Sequence, residues 1–299
     1  MGALISERRL AIRVMAGAAM CIAILLVGIV STASAAHACS LGFCGPSVRT
    51  ETAQKDPMFH TEHIHDFFCA NNVTDPTSYD LLVAGSTSCK RTTDHSSRWM
   101  PQLKINGIVQ TPTRSGFYYQ CMKPFSATQC ANVKPFPKGL RMVTGERPGD
   151  YGDVLWHCDI TGQQNAQEDP PTKCSSDARG IGMIIRFPEC WNGWTLDPAT
   201  TTEPNAVSAT YDSNGKYGCP DAYPVQLPTL RFFPDYPNAP KTLKKVEVSV
   251  GHNEWGPPSS YHANNISAFT EDSMLQLTKN CITDYRLQTS PVAGCNLGE

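Results

Sequence analysis

Lys244-Lys245-Val246-Glu247-Val248-Ser249-Val250 carries the plainest structural signal in this 299-residue chain. Its side chains alternate, with Val246, Val248 and Val250 on one face, the two-residue period of a strand buried on one side. The same signature recurs outward from it. Ile181 to Phe187 reads as a fully buried strand, and Gly139–Val143 and Val154–His157 as two more. Pro- and Gly-rich clusters at 135–139, 145–152 and 234–240 punctuate them. One helix is expected over Thr270 to Cys281. Thr270 is placed to cap it, Glu271 and Asp272 suit its first turn, and Met274, Leu277 and Cys281 share a face. Polar segments 160–179 and 197–217 read as long surface loops, and no fixed-period repeat occurs. Many short strands and a late helix predict a mostly β fold. The expected architecture is an antiparallel, jelly-roll-like β-sandwich with long disulfide-stapled loops and one or two short helices.

Composition narrows the class. With 25 Lys+Arg against 27 Asp+Glu the net charge is −2, so no basic surface for nucleic acid is implied. Forty per cent hydrophobic residues exclude a disordered chain, and 23 Pro with 22 Gly exclude a helical bundle. At the N-terminus Arg8, Arg9 and Arg13 precede an uncharged run from Val14 to Val30, followed by Ala-x-Ala sites ending at Ala35 and Ala38. This is the layout of a secretory signal peptide over 1–38, cleaved after Ala35 or Ala38; the alternative is an uncleaved anchor. Loss of the leader's three Arg and one Glu brings the net charge to −4. Residues 39–55 read as a polar lead-in and 56–299 as a single secreted domain, a monomer with no stable membrane span.

Cysteine usage agrees with export. Cys21 lies within the leader, leaving Cys39, Cys44, Cys69, Cys89, Cys121, Cys130, Cys158, Cys174, Cys190, Cys219, Cys281 and Cys295, an even number that reads as a disulfide framework of open connectivity. Asn72-Val73-Thr74 and Asn265-Ile266-Ser267 are glycosylation sequons.

The strongest chemical constellation is His60-Thr61-Glu62-His63-Ile64-His65-Asp66. On a strand, His63 and His65 project to one face about 6–7 Å apart, which suits two metal ligands or an acid/base histidine beside an anion-binding one. Asp66 is placed to orient an imidazole. No third ligand follows at a diagnostic spacing, so no metal and no cofactor is assigned from sequence. Tyr118, Tyr119, Trp191, Trp194, Trp255 and Tyr261 offer rings of the kind that stack on sugars or fill cores. Serine-hydrolase, phosphate-loop and dinucleotide motifs are absent.

His63-Ile64-His65-Asp66-Phe67-Phe68 resembles the early signature of the secreted domain-of-unknown-function 1996 family. The resemblance continues in order through Thr87-Ser88-Cys89, Asp94, Trp99-Met100-Pro101, Tyr118-Tyr119, the run from Phe136 to Met142 and Trp156-His157-Cys158. It then runs through Phe187-Pro188-Glu189-Cys190-Trp191-Asn192-Gly193, Asp197, Gly218-Cys219-Pro220 and Pro224 to Leu230, and closes with Tyr261-His262-Ala263-Asn264 and Leu275-Gln276. It implies a secreted, disulfide-bonded domain found beside carbohydrate-binding or cell-wall modules. It also sorts the candidates: His63, His65, His262, Asp94 and Arg141 fall on motif positions. Two departures stand out. Asn264 occupies a place where the family usually has Asp, and Ala206 to Tyr211 replaces its His-Val-x-Tyr-Pro.

The expectation is therefore a carbohydrate-active enzyme, a hydrolase or lyase acting on extracellular polysaccharide or cell wall. His63, His65, Asp94 and His262 are the expected catalytic residues, and Arg141, Tyr118, Trp191 and Asn264 the expected substrate contacts. The alternative is a non-catalytic glycan-binding or structural wall protein.

Overall fold

In the computed structural model, the described residues are 39–40, 43–47, 49–54, 56–121, 124–145, 154–158, 166–175, 180–270, 272–283 and 294–295. The expected leader lies outside them. Ala38–Glu299 forms one compact unit. Its frame is two five-stranded antiparallel sheets. The first runs Val154–His157, Ile181–Arg186, Thr229–Tyr236, Arg114–Gln120 and Phe43–Ser47. The second runs Arg49–Gln54, His65–Cys69, Ser97–Pro101, Ala263–Ile266 and Arg141–Thr144. Segment 39–55 is thus more than a lead-in: it supplies an edge strand to each sheet.

The sheets face each other through aromatic side chains. Phe68 of the second meets Phe232 of the first edge to face at 5.1 Å, and Phe232 stacks on Phe117 at 4.9 Å. Such pairs explain why Ile181–Arg186 reads as continuously apolar: its strand lies between two others and is buried from Ile181 through Ile185. A smaller cluster of Met58, Phe67, Leu82, Trp99 and Ile266 covers the outer face of the second sheet, beneath the short helix Tyr79–Ala84.

Three local expectations change. The strand at 244–250 begins at Val246 and runs to Gly251, in a four-stranded sheet with Glu254–Gly256, Leu103–Ile105 and Ile108–Gln110. Val248 is buried but Val250 is exposed, because a register shift between Ser249 and Gly251 breaks the alternation. The late helix is shorter: an α-turn at Ser273–Leu277 runs into a π-helical stretch at Thr278–Thr283. Thr270 is held outside it by its N–H to Thr93 O, and Asp272 sits at φ 63°, so the helix starts only at Ser273. Segment 197–217 is not all loop, since Ala206–Val207 pairs with Cys190–Trp191 and Thr210–Tyr211 with Tyr217–Gly218.

Four disulfides are described: Cys69–Cys89, Cys121–Cys130, Cys158–Cys174 and Cys190–Cys219. Cys281 is bonded as well. Cys39 lies opposite Cys295 in a two-stranded pairing, and Cys44 lies on the Phe43–Ser47 strand. Among the described residues no helix is long and apolar enough to cross a membrane.

The sequon at Asn265 sits in a strand paired on both sides, with Asn265 1% exposed. A glycan there is incompatible with the sandwich. In a glycosylating host, peptide mass mapping of the folded protein is expected to find Asn265 unmodified, with any N-glycan confined to Asn72.

Candidate histidine centre

The second sheet brings three histidines together through its register. His65 pairs directly with Pro101, and the neighbouring register pairs Trp99 with Asn264. Extending that register by two residues sets His262 level with Pro101 as well. His65 and His262 therefore flank Pro101 on one face, their backbones about 9.5 Å apart across one intervening strand. Their ring centroids are 5.6 Å apart. His63, two residues before His65, falls on the same face, anchored where Ile64 N–H donates to Ser249 Oγ and Ile64 O accepts from Gln102 N–H.

All three imidazoles point Nε2 inward. His63 Nε2 lies 3.2 Å and His65 Nε2 3.4 Å from His262 Nε2, and one ligand atom from each ring falls within 4.8 Å of the others. The rings are buried, at 5%, 0% and 2% exposure. His262 Nδ1 is 3.2 Å from Ser260 O. A carbonyl only accepts, so that Nδ1 carries the proton and Nε2 keeps its lone pair toward the centre. Burial holds the His262 pKa below the ordinary histidine value, against the opposing pull of Ser260 O and Asp56, so the neutral, ligand-competent form is favoured.

Asp56 is the residue that sequence reading missed. It is 1% exposed, and its Oδ2 is 3.9 Å from His65 Nε2. Oδ1 accepts from Met58 N–H at 2.6 Å and Phe59 N–H at 3.0 Å, and Oδ2 accepts from Asn264 Nδ2 at 3.0 Å. A lone Asp before Pro57 carries no pattern signal; only the fold sets it beside the histidines. Asn264, expected to touch substrate, donates to this carboxylate and so orients it.

The other expected site residues lie elsewhere. Arg141 pairs with Asp197 at 3.3 Å and donates to Thr77 O at 2.6 Å and Pro57 O at 3.4 Å, so its guanidinium ties loops together, including the segment that carries Asp56. Asp94 is spent on Arg98, with Nη2 at 2.9 and 3.2 Å from its two oxygens. That pair is fully buried beside the Cys69–Cys89 disulfide; Arg98 also donates to Tyr119 Oη and lies 4.1 Å from the Phe117 ring centroid. Cys69, Cys89 and Asp94 also cluster, but the two sulfurs are bonded to each other and are not metal ligands. Asp66 turns to the opposite face from His65, toward Gln102 at 3.5 Å. Tyr118 packs its ring on Phe233, and Trp191 is half-buried with Nε1–H donating to Thr195 O at 2.7 Å.

The family model described as "Domain of unknown function (DUF1996)" matches residues 55–268, a span that includes Asp56 and all three histidines. Searches of curated proteins and of solved structures returned no match.

Removing one member of the buried Asp94–Arg98 pair strands the other charge. Asp94→Asn is expected to lower stability by about 3–5 kcal/mol in urea unfolding while leaving the histidine centre of the folded fraction intact. Loss of function at unchanged stability would instead give Asp94 a chemical role.

Proposed function

We propose, for a chain that belongs to the DUF1996 family, an extracellular metal-dependent enzyme acting on polysaccharide, with His63, His65 and His262 holding a divalent transition-metal ion. One observation carries this reading: the Nε2···Nε2 separations of 3.2 and 3.4 Å. Three imidazoles bound to one ion at about 2.0–2.1 Å with tetrahedral angles have nitrogen edges of about 3.3–3.4 Å. An all-imidazole set suits zinc or copper and does not suit calcium or magnesium.

The donor count favours a reactive centre over a structural one. Structural zinc sites close with four protein ligands, whereas three leave a position for water or substrate. Asp56 is the nearest fourth group, but its carboxylate already takes three hydrogen bonds, which suits an outer carboxylate that sets charge and orientation. Bound at the histidines, an ion supplies Lewis acidity and makes water a nucleophile near neutral pH. The chain's residues do the rest: Ser260 O fixes the His262 tautomer, Asn264 aims Asp56, and Asp56 offsets part of the ion's charge.

Export and the polysaccharide substrate rest on the Arg-led apolar leader with its Ala-x-Ala sites, the disulfides and the cell-wall setting that the family resemblance implies.

The test is elemental analysis of the purified mature chain after chelation and reloading, followed by release of reducing ends or unsaturated sugars from soluble polysaccharides. One equivalent of zinc or copper and metal-dependent product release are expected. His262→Ala should bind no stoichiometric metal, and Asp56→Asn should lose about 10–100-fold in affinity or rate while keeping the site. A chain that takes up no metal at micromolar concentration, or turnover indifferent to chelation, defeats the proposal.

A further inference from the structure

Away from the histidines, the disulfide-bonded loops after Cys190 present a tryptophan outward. Trp194 is 73% exposed, although indole is among the side chains that gain most from burial. It lines a cleft of about 400 Å³ with Asn192, Thr202, Glu203, Pro204 and Tyr223, within the usual range for small-ligand sites.

The surroundings hold the ring support still. Gly193, at φ 91°, makes the tight turn, while Asn192 Oδ1 accepts from Trp194 N–H at 3.1 Å and Thr195 N–H at 3.0 Å. Trp191 Nε1–H donates to Thr195 O just behind, and Asn205 Nδ2 reaches Arg141 O at 2.8 Å. Tyr223 is fixed by its hydroxyl donating to Pro204 O at 3.0 Å, and Cys190–Cys219 bonds the two loops together. An exposed aromatic on a rigid support loses little entropy when a flat apolar face settles on it.

We infer that this cleft is a glycan-binding site, in which the Trp194 indole stacks on a pyranose ring of a neutral polysaccharide and Glu203, Thr202 and Asn192 meet its hydroxyls. The charge selects the class. Among the described residues that line the cleft, Glu203 is the only charged one, so uronate- or phosphate-bearing polymers meet repulsion while hydroxyl donors meet an acceptor. The concavity argues against a second copy of this chain. Beside Trp194 only Leu196, at 41% exposure, adds a large exposed apolar side chain on this loop, far short of the roughly 1,000 Å² that a stable interface buries. The site is separate from the histidine centre and rests on the proposed function only for the polysaccharide class.

Affinity electrophoresis of the mature protein through native gels containing laminarin, barley β-glucan, xylan or polygalacturonate tests this. Retardation by at least one neutral polymer is expected, with none by polygalacturonate. Trp194→Ala should weaken binding about tenfold or more, Trp194→Tyr should restore much of it, and Glu203→Gln should weaken it while leaving the stacking surface in place. Chelated, metal-free protein should be retarded as the untreated protein is, so failure of the metal reading leaves this result standing. No retardation by any neutral polymer, retardation by polygalacturonate alone, or equal retardation of Trp194→Ala would overturn the inference. So would an unaltered glycan affinity accompanied by a Trp194→Ala change in sedimentation, which would make the patch a protein interface.

Discussion

The register of three strands, His65–Cys69, Ser97–Pro101 and Ala263–Ile266, is the constraint on which the rest depends. A strand alternates faces, so a slip of one residue in either pairing would send His65 or His262 to the opposite face and dissolve the centre. Each row beneath the histidines resists such a slip. Phe67 lies opposite Trp99 and stacks on it at 5.5 Å, and Trp99 lies opposite Asn264. The apolar rows thus serve the polar one: aromatic packing on the outer face of the sheet aligns imidazoles two strands apart. The middle strand ends at Pro101, level with the point where the rings converge.

The same sheet carries an unusual polar load on both faces. Between the sheets, Arg98 and Asp94 are fully buried and pair with each other. On the outer face, Asp56 is buried beside the histidines. An isolated buried charge is too costly to keep, and the two sites answer that cost differently. Arg98 has a carboxylate, a hydroxyl, a sulfur and an aromatic face around it, so its site is electrically complete. Asp56 has two backbone N–H groups and one amide for one negative charge. His262 turns its Nε2 lone pair toward this carboxylate's neighbourhood and is held toward neutrality by burial. A cation at the centre, as proposed, would balance the carboxylate.

Much of the frame was legible because it is periodic. Ile181–Arg186 and Val154–His157 announce themselves as strands; the His-x-His pair is visible too, although the strand begins only at His65 and His63 reaches the same site from the bend before it. The disruptions were not legible, because they are tertiary. The shift at Ser249–Gly251 exposes Val250, and Asp272 in the left-handed region delays the helix to Ser273. The site divides along the same line. Its His-x-His half is local and visible, and the resemblance supplied His262. Asp56 and its link to Asn264 span 208 residues and leave no mark in spacing. The resemblance likewise singled out Asp94 and Arg141 without saying what they touch, and only the fold pairs them with Arg98 and Asp197. Trp191 and Trp194 are three residues apart, and only the turn at Gly193 decides which is inside.

The departure at Asn264 then takes on a physical meaning. The resemblance implies Asp at this position, in a strand whose side chain reaches Asp56 Oδ2 at 3.0 Å. Two carboxylates at that distance do not both stay ionised: one takes a proton, or a cation lies between them. An amide removes the conflict. Its N–H₂ group donates to Asp56 Oδ2 where a second carboxylate would repel, so the strand brings one carboxylate rather than two to the histidines. If the centre holds a divalent ion as proposed, one outer carboxylate rather than two would offset its charge. Asn264 is accordingly better understood as retuning the centre than as disabling it: the residue exchanged is the one that aims the carboxylate, and all three nitrogen donors remain.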